Sequence, residues 1–121
     1  MFSAKLLLVD NEPNVLEAMQ LGLSIQGYEV HVAVNGPEAL QIVKEKQFDI
    51  ILLDLIMPGM NGIEVLKQMK KIGLTSKVLI LTAYASHDVV EEALDEGACG
   101  YILKPSSAKE ISIEIEKALT S

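Results

Sequence analysis

The chain has 121 residues, half of them hydrophobic, and seventeen acidic residues against ten lysines give a formal net charge of −7 at pH 7. It contains no arginine, the usual reader of base edges, and its negative field would repel a phosphate backbone. Direct binding of nucleic acid by this chain is therefore not expected. Its apolar runs are far shorter than the ~20 residues that cross a bilayer, and the N-terminal run is too short for a signal peptide. We expect a cytoplasmic protein without a membrane segment.

The single cysteine, Cys99, excludes an internal disulfide and any multi-cysteine metal site. It lies between Ala98 and Gly100, directly ahead of the apolar run 101–103. This setting favours a small buried residue at the start of a strand over a reactive thiol.

Five short apolar runs predict five strands, at residues 5–9, 29–34, 49–53, 78–81 and 101–103. Three of these runs show almost no alternation of apolar and polar residues, which is typical of strands covered on both faces. The second run, EVHVAV, alternates and predicts an edge strand with His31 pointing outward.

Helical patterns lie between the predicted strands. Leu16, Met19 and Leu23 recur at helical spacing and predict a first helix that ends at Gly27. Asn35 precedes Pro37, and this pair favours the start of a second helix. Three further helices are predicted from Ile63, Leu66 and Met69, from Val89, Val90, Ala93 and Leu94 with an end at Gly97, and from Ile111, Ile115, Ala118 and Leu119 with a start at Ser106 or Ser107.

Strict alternation of strands and helices implies parallel strands, right-handed crossovers and helices on both faces of the sheet. The predicted fold class is therefore α/β, with a doubly wound five-stranded parallel sheet. No internal repeat, low-complexity tract or linker interrupts the pattern. We expect residues 1–121 to form one domain, with no room for a second.

Polar residues follow four of the predicted strands. In open parallel sheets, ligands gather at the carboxyl ends of the strands, so these residues are expected to meet at one rim. They are Asp10, Asn11 and Glu12 after the first strand, Asp54 after the third, Thr82 after the fourth and Lys104 after the fifth, with Ala83 and Pro105 following the last two.

Each of these residues also has an ordinary structural explanation. Asp10 or Asn11 could cap the first helix ahead of Pro13, and Lys104 could be a solvated loop lysine. The convergence of all of them on one rim favours a shared function instead. Clustered carboxylates suit a hard cation such as Mg²⁺, which also takes phosphate oxygens as ligands. With that charge neutralised, a carboxylate can attack phosphorus, while a lysine and a hydroxyl bind the transferring oxygens.

The segments LLLVDNE, ILLDLIMPGMNG, LILTA and GYILKP, in this order and spacing, resemble the receiver domain of two-component response regulators, of the CheY-like kind. The resemblance covers essentially the whole chain. It implies a flavodoxin-like three-layer fold with strand order 2-1-3-4-5. It also implies a phosphorelay switch that catalyses only its own phosphorylation and dephosphorylation, and that is not a conventional enzyme.

The resemblance assigns a role to each rim residue except Glu12. Asp54 would accept a phosphoryl group from a sensor histidine kinase or a phosphotransfer protein. Asp10, Asn11, Asp54 and the backbone carbonyl of Ile56 would bind Mg²⁺. The remaining implied residues are Lys104, Thr82 and the backbone N–H groups of Leu55 and Ala83 as phosphoryl contacts, Pro105 after a cis peptide bond, and Tyr101 as the switch aromatic that moves together with Thr82.

The output would pass to an effector domain or protein through the face of the fourth helix, fifth strand and fifth helix. His31 and His87 match no functional position of the family, and both are expected at the surface.

Asn11 departs from the family pattern, because an acidic residue usually occupies this metal-binding position. The amide removes one negative charge and predicts weakened metal binding. Two alternatives stay open. One is a Mg²⁺-dependent phosphohydrolase of the haloacid-dehalogenase type, although such enzymes carry a second Asp where this chain has Ile56. The other is a pseudo-receiver that binds partners without phosphorylation.

Overall fold

The computed structural model of the protein describes residues 4–83 and 86–120, in which five strands alternate with five helices. The strands are β1 (Lys5–Val9), β2 (Glu29–Ala33), β3 (Ile50–Leu53), β4 (Lys77–Thr82) and β5 (Gly100–Leu103). The helices are α1 (Pro13–Ile25), α2 (Gly36–Glu45), α3 (Gly62–Ile72), α4 (His87–Asp95) and α5 (Ala108–Thr120). Within these residues, no helix is both long and apolar enough to cross a membrane.

All five strands pair in parallel, in the order β2-β1-β3-β4-β5. This arrangement confirms the predicted doubly wound α/β sheet and the placement of β2 at an edge. From β1 the chain first adds β2 on one side of the sheet. It then returns to the other side of β1 and adds β3, β4 and β5 in turn. The switch between these two sides places the ligand-binding crevice of such a fold beside the carboxyl ends of β1 and β3.

The sheet separates two hydrophobic clusters. One is formed with α2, α3 and α4, and it receives Leu7, Val9, Ile51 and Leu53 from the two central strands. The other is formed with α1 and α5, and it receives Leu6, Leu8, Ile50 and Leu52. Alternate residues of β1 and β3 are therefore buried on opposite faces, which explains why their sequences are apolar without alternation.

Side-chain caps define the starts of four helices. Asn35, Asn61 and Ser86 accept hydrogen bonds from the backbone N–H groups of Glu38, Glu64 and Val89, over 2.8, 3.0 and 3.3 Å. Ser107 and Glu110 form a reciprocal capping box at the start of α5. This box identifies Ser107, of the two predicted candidates, as the start.

The first helix begins differently. Its N-cap residue is Glu12, and this residue forms no side-chain cap. The explanation that Asp10 or Asn11 caps this helix is therefore wrong.

The prediction that Cys99 is buried is also wrong, because its side chain is exposed. Ala98 and Ile102 take the inward positions around the start of β5, with 6% and 7% exposure. The sheet edge thus leaves Cys99 on the outer side. His87 is at the surface as expected, with a side chain that is 89% exposed. His31 is only partly exposed, because its ring packs edge-on against Phe48 with centroids 5.4 Å apart.

Candidate functional site

Asp10 and Asp54 lie side by side at the rim of the sheet because they follow the paired strands β1 and β3. The Asp54 N–H donates a hydrogen bond of 3.0 Å to the carbonyl of Val9, which fixes the register at this point. Both aspartates are buried, with 4% and 8% exposure. Buried carboxylates are costly unless hydrogen bonds and an opposite charge compensate them.

The two carboxylates are oriented by the same local contact. Asp10 Oδ1 accepts a hydrogen bond from the Glu12 N–H over 3.0 Å, and Asp54 Oδ1 accepts one from the Ile56 N–H over 3.2 Å. Each is an Asx-turn contact, in which an Asp side chain binds the backbone two residues on. The turn fixes Oδ1 of each residue and directs Oδ2 toward the same point in space.

Lys104 occupies that point. Its Nζ donates to Asp54 Oδ2 over 3.3 Å and also contacts Asp10 Oδ2. The Lys104 N–H donates a 2.8 Å hydrogen bond to the carbonyl of Thr82, which places the start of this side chain beside the end of β4. Burial opposes the charged form of the ammonium, but the contacts with Asp10 and Asp54 outweigh it and raise the pKa of Lys104.

The donor groups of the rim are hard oxygens. They are the Asp10 and Asp54 carboxylates, and the half-buried Asn11 amide and the Ile56 backbone carbonyl are further oxygens on the segments that follow these aspartates. This set fits Mg²⁺, which takes one or two protein carboxylates and fills its other positions with water or phosphate oxygens. Within residues 4–83 and 86–120, no group of three or more His, Cys, Asp or Glu side chains could hold a metal ion. The neutral Asn11 follows Asp10 in the chain and adds no carboxylate to the pair formed by Asp10 and Asp54.

The other predicted residues surround Asp54. Thr82 is fully buried at the end of β4, Leu55 is buried, and Ala83 and Ile56 are exposed. An open cleft of about 700 Å³ gives access to the site and is bordered by Asp54, Thr82, Lys104 and residues of α1 and α5. The Lys104–Pro105 peptide bond is cis.

Tyr101 lies farther away, on β5, where its partner in register is Ile80 of β4. Its side chain is 48% exposed, so the ring is turned outward in this structure. The structure therefore brings together Asp10, Asp54, Thr82 and Lys104. Asn11 follows Asp10 in the chain, and Tyr101 lies outside this group, on β5.

The sequence analysis missed one residue that shapes the site. A Cβ atom on Gly62 would lie 2.5 Å from the carbonyl oxygen of Asp54 and 2.6 Å from the Cα of Leu55. The Gly62 N–H donates to the carbonyl of Leu55 over 3.0 Å. Gly62 thus lets α3 begin directly against the segment that carries Asp54. The Asn61-Gly62 pair, a common turn signal, was the available clue.

Comparisons with known proteins agree with this geometry. A family model described as response regulator receiver domain matches residues 6–116. Sporulation initiation phosphotransferase F of Bacillus subtilis is 37% identical over 119 residues, which are 98% of this chain and 96% of that protein. Regulatory protein AtoC of Escherichia coli is 36% identical over 115 residues. A solved receiver domain protein (CheY-like) of Methanospirillum hungatei has a TM-score of 0.92 at 29% identity, covering 98% of this chain and 95% of that one.

The chain belongs to the response regulator receiver domain family. Members of this family are phosphorylation-dependent signalling switches of two-component systems, and they are not conventional enzymes. The matched region is 95% of this chain but 25% of AtoC, so the chain spans about a quarter of that relative and nearly all of sporulation initiation phosphotransferase F.

Proposed function

We propose that this protein is a receiver domain over residues 1–121 that accepts a phosphoryl group on Asp54 in a Mg²⁺-dependent reaction. The observation that carries the proposal is the convergence of Asp10, Asp54 and Lys104 at the carboxyl ends of β1, β3 and β5. A nucleophilic carboxylate, a second carboxylate and an ammonium are the groups that phosphoryl transfer to an aspartate requires.

The donor is a sensor histidine kinase or a phosphotransfer protein. A carboxylate oxygen of Asp54 forms a bond to phosphorus while the bond between phosphorus and the donor imidazole nitrogen breaks. The imidazole leaves with the electron pair of that bond, and Asp54 becomes an acyl phosphate. The backbone N–H groups of Leu55 and Ala83, the Thr82 hydroxyl and the Lys104 ammonium bind the oxygens of the transferring group.

Asp10, Asn11, Asp54 and the Ile56 carbonyl would hold Mg²⁺, and the ion would neutralise the negative charge shared by the carboxylates and the phosphoryl group. Asn11 supplies a neutral oxygen and therefore weakens this binding. Lys104 binds the two carboxylates in the resting protein, and it is already within reach of the phosphoryl oxygens on Asp54.

Output passes from Thr82 to Tyr101 and the face of α4, β5 and α5, which binds an effector domain or protein in the cytoplasm. Thr82 is buried beside Asp54, whereas Tyr101 is half exposed on the adjacent strand. A switch must connect the phosphoryl site with an exposed surface. Thr82 lies next to the phosphoryl site, and Tyr101 belongs to the exposed surface.

The phosphohydrolase alternative is weaker, because Ile56 stands where such enzymes carry their second Asp. The Ile56 side chain is 56% exposed and offers no acid or base to the cleft. Asn11 is the one feature that favours a pseudo-receiver. The labelling experiment described next distinguishes a pseudo-receiver from a phosphorylated switch.

Incubation with Mg²⁺ and acetyl phosphate should add one phosphoryl group, which intact-mass spectrometry detects. Asp54→Ala should abolish the label. Asp49→Ala is the matched control, because Asp49 is exposed and precedes the same strand at its other end. Label retained by Asp54→Ala would place the acceptor elsewhere, and no label on the unaltered protein would favour the pseudo-receiver.

A further inference from the structure

Helices α3 and α4 lie side by side on one face of the sheet and carry opposite charges. Both bury residues in the cluster that also receives Leu7 and Val9. The surface of α3 carries a basic stripe, formed by Lys67, Lys70 and Lys71. The surface of α4 and its C-cap carries an acidic stripe, formed by Asp88, Glu91, Glu92, Asp95 and Glu96.

The two stripes have almost no partners within the molecule. In residues 4–83 and 86–120, no lysine of the basic stripe forms an ion pair, and the acidic stripe forms one, from Glu91 to His87 over 3.2 Å. The side chains of His87 and Glu91 are both exposed, so water screens even this contact. The charges of both stripes therefore stay available to another molecule.

The acidic stripe is unfavourable for the helix that carries it. Its acids recur at a spacing of three and four residues, as in Glu91–Asp95 and Glu92–Glu96, and like charges at this spacing destabilise a helix. No basic residue lies in the last turn of α4, where the end of the helix dipole is negative. A sequence that breaks such local rules is expected where function requires it. The acidic stripe therefore points to a positively charged surface outside the helix.

An open groove separates the stripes. One part, of about 540 Å³, is bordered by the basic stripe and by Glu96. A neighbouring part, of about 440 Å³, is bordered by Lys67 and Glu92. Among the described residues, no lysine on the α3 side comes within 4.0 Å of a carboxylate on the α4 side. A surface that carries both signs of charge can therefore contact both sides of the groove.

The arrangement of the stripes favours a second copy of the chain as the partner. Because the strands are parallel, α3 and α4 run in the same direction, and so do the stripes. A two-fold axis between two facing copies, parallel to these helices, places the basic stripe of each copy on the acidic stripe of the other. A partner with charges of one sign would be attracted by one stripe and repelled by the other, whereas a second copy matches both.

We propose that two copies of this chain associate through α3 and α4 in a weak symmetric dimer, in which each basic stripe faces the acidic stripe of the other copy. No stripe residue borders the cleft that opens on Asp54, so both phosphoryl sites stay accessible in this dimer. The inference goes beyond the proposed function, because the dimer requires neither a metal ion nor a phosphoryl group.

Sedimentation equilibrium of the full chain measures this association. Surface ion pairs are individually weak, so we expect a dissociation constant on the order of 0.1–1 mM in ~0.15 M salt. The dimer should weaken markedly in ~1 M salt, where the Debye length falls to about 3 Å.

Charge reversal of either stripe should weaken the dimer. The basic-stripe variant combines Lys67→Glu, Lys70→Glu and Lys71→Glu, and the acidic-stripe variant combines Glu91→Lys, Glu92→Lys and Asp95→Lys. In each variant alone, like charges face each other twice in the dimer, so the dissociation constant should rise at least about tenfold. An equimolar mixture of the two variants should associate again, to within about threefold of the wild type, because both contacts then pair opposite charges.

The control variant combines Lys44→Glu, Lys46→Glu and Lys109→Glu. It changes the net charge as much as the basic-stripe variant does, at exposed positions outside both stripes. Its dissociation constant should differ from that of the wild type by less than about threefold.

A second measurement decides the question if a variant fails to fold. Raising the concentration of the wild type from about 0.05 to about 1 mM should shift the amide resonances of residues 64–72 and 87–97. The resonances of α1, on the other face of the sheet, should not move.

A wild type that stays monomeric at about 1 mM would overturn the inference. So would concentration-dependent shifts outside α3 and α4, or a mixture of the two folded variants that does not associate. Binding of polylysine or polyglutamate by a monomeric wild type would instead assign one stripe to a partner of that charge. Labelling of Asp54 by acetyl phosphate is measured separately, so the proposed function can stand when the dimer fails.

Discussion

Tyr28 donates a hydrogen bond of 2.7 Å from its phenolic hydroxyl to Glu116 Oε2, across 88 positions in the sequence. The same hydroxyl lies 2.9 Å from Ser112 Oγ. The ring is buried against the cluster of α1 and α5. Tyr28 directly precedes β2, and Glu116 lies in the last turns of α5, so the contact links the turn between α1 and β2 to the C-terminal helix.

Tyr28→Phe should lower the free energy of unfolding by about 1–2 kcal/mol, because the ring stays in place while Glu116 and Ser112 lose their partner. Urea denaturation measures this change. Tyr101→Phe is the control, since its ring is half exposed, and it should change stability by less than about 0.5 kcal/mol. Equal effects of the two substitutions would contradict a stabilising role for the Tyr28 hydroxyl.

The stability difference between wild type and Tyr28→Phe should also depend on pH. Burial, opposed by the Ser112 hydrogen bond and assisted by Glu116, raises the pKa of Tyr28. Below about pH 9 the phenol is protonated in both states and the difference is fully present. Above about pH 10 the unfolded chain loses this proton first, so the difference shrinks as pH rises through the folded pKa. Denaturation at pH 8 and pH 10.5 tests this, and a difference that grows with pH would contradict it.

Asn11→Asp should increase the affinity for Mg²⁺ and lower the stability of the metal-free protein. The added carboxylate should make the free energy of Mg²⁺ binding more favourable by ~1–3 kcal/mol, which is roughly a factor of five to a hundred in affinity. Without metal, the same carboxylate repels Asp10 and Asp54. Calorimetric Mg²⁺ titration and metal-free denaturation measure the two effects separately.

Gln68→Glu is the control for this pair of measurements, because it adds the same charge at an exposed position of α3, away from the cleft. Equal Mg²⁺ affinities of wild type and Asn11→Asp would show that the amide oxygen or Glu12 already replaces the carboxylate.

Gly62→Ala should disturb Asp54 without touching its side chain. The new Cβ would meet the Asp54 carbonyl and the Leu55 backbone at less than 3.0 Å, so the segment must shift. Overpacking of this kind costs about 1–3 kcal/mol of stability. The rate of labelling by acetyl phosphate should fall as well. Gln68→Ala, at an exposed position of the same helix, should leave both quantities nearly unchanged.

Binding of beryllofluoride, a phosphate mimic, should change backbone chemical shifts most from about residue 82 to residue 108. A two-state switch needs a structural element whose conformation depends on both the phosphoryl site and the output face. We propose that this element extends from Thr82 to Tyr101. In Thr82→Ala, beryllofluoride should still change the chemical shifts near Asp54, but the chemical-shift changes at Tyr101 should be smaller than in the wild type. Changes confined to the rim in the wild type would contradict this route of output.

The sheet could be predicted from the sequence because β1, β3 and β4 are buried on both faces and therefore read as unbroken apolar runs. The meeting of Asp10, Asp54 and Lys104 also followed, since residues at the carboxyl ends of parallel strands share one rim. The family resemblance then supplied a chemical role for each of them.

The details that escaped prediction depend on tertiary geometry. Cys99 was expected inside because its neighbours are apolar, but the edge position of β5 leaves it outside. The Tyr28–Glu116 hydrogen bond joins residues that no local pattern relates. The need for Gly62 appears only when α3 is placed against the Asp54 segment, because the close contacts involve backbone atoms.

Because the sheet separates two hydrophobic clusters, mutations in one cluster should affect stability independently of mutations in the other. Val65 lies in the cluster on one face and Ile115 in the cluster on the other, and both are fully buried. Substitutions on opposite faces share few neighbours, so their energetic effects should add within about 0.5 kcal/mol. Each face can therefore accumulate compensating changes on its own. Over evolutionary time, the helices of one side can diverge and acquire new partners while the other side and the rim with Asp10, Asp54 and Lys104 stay the same.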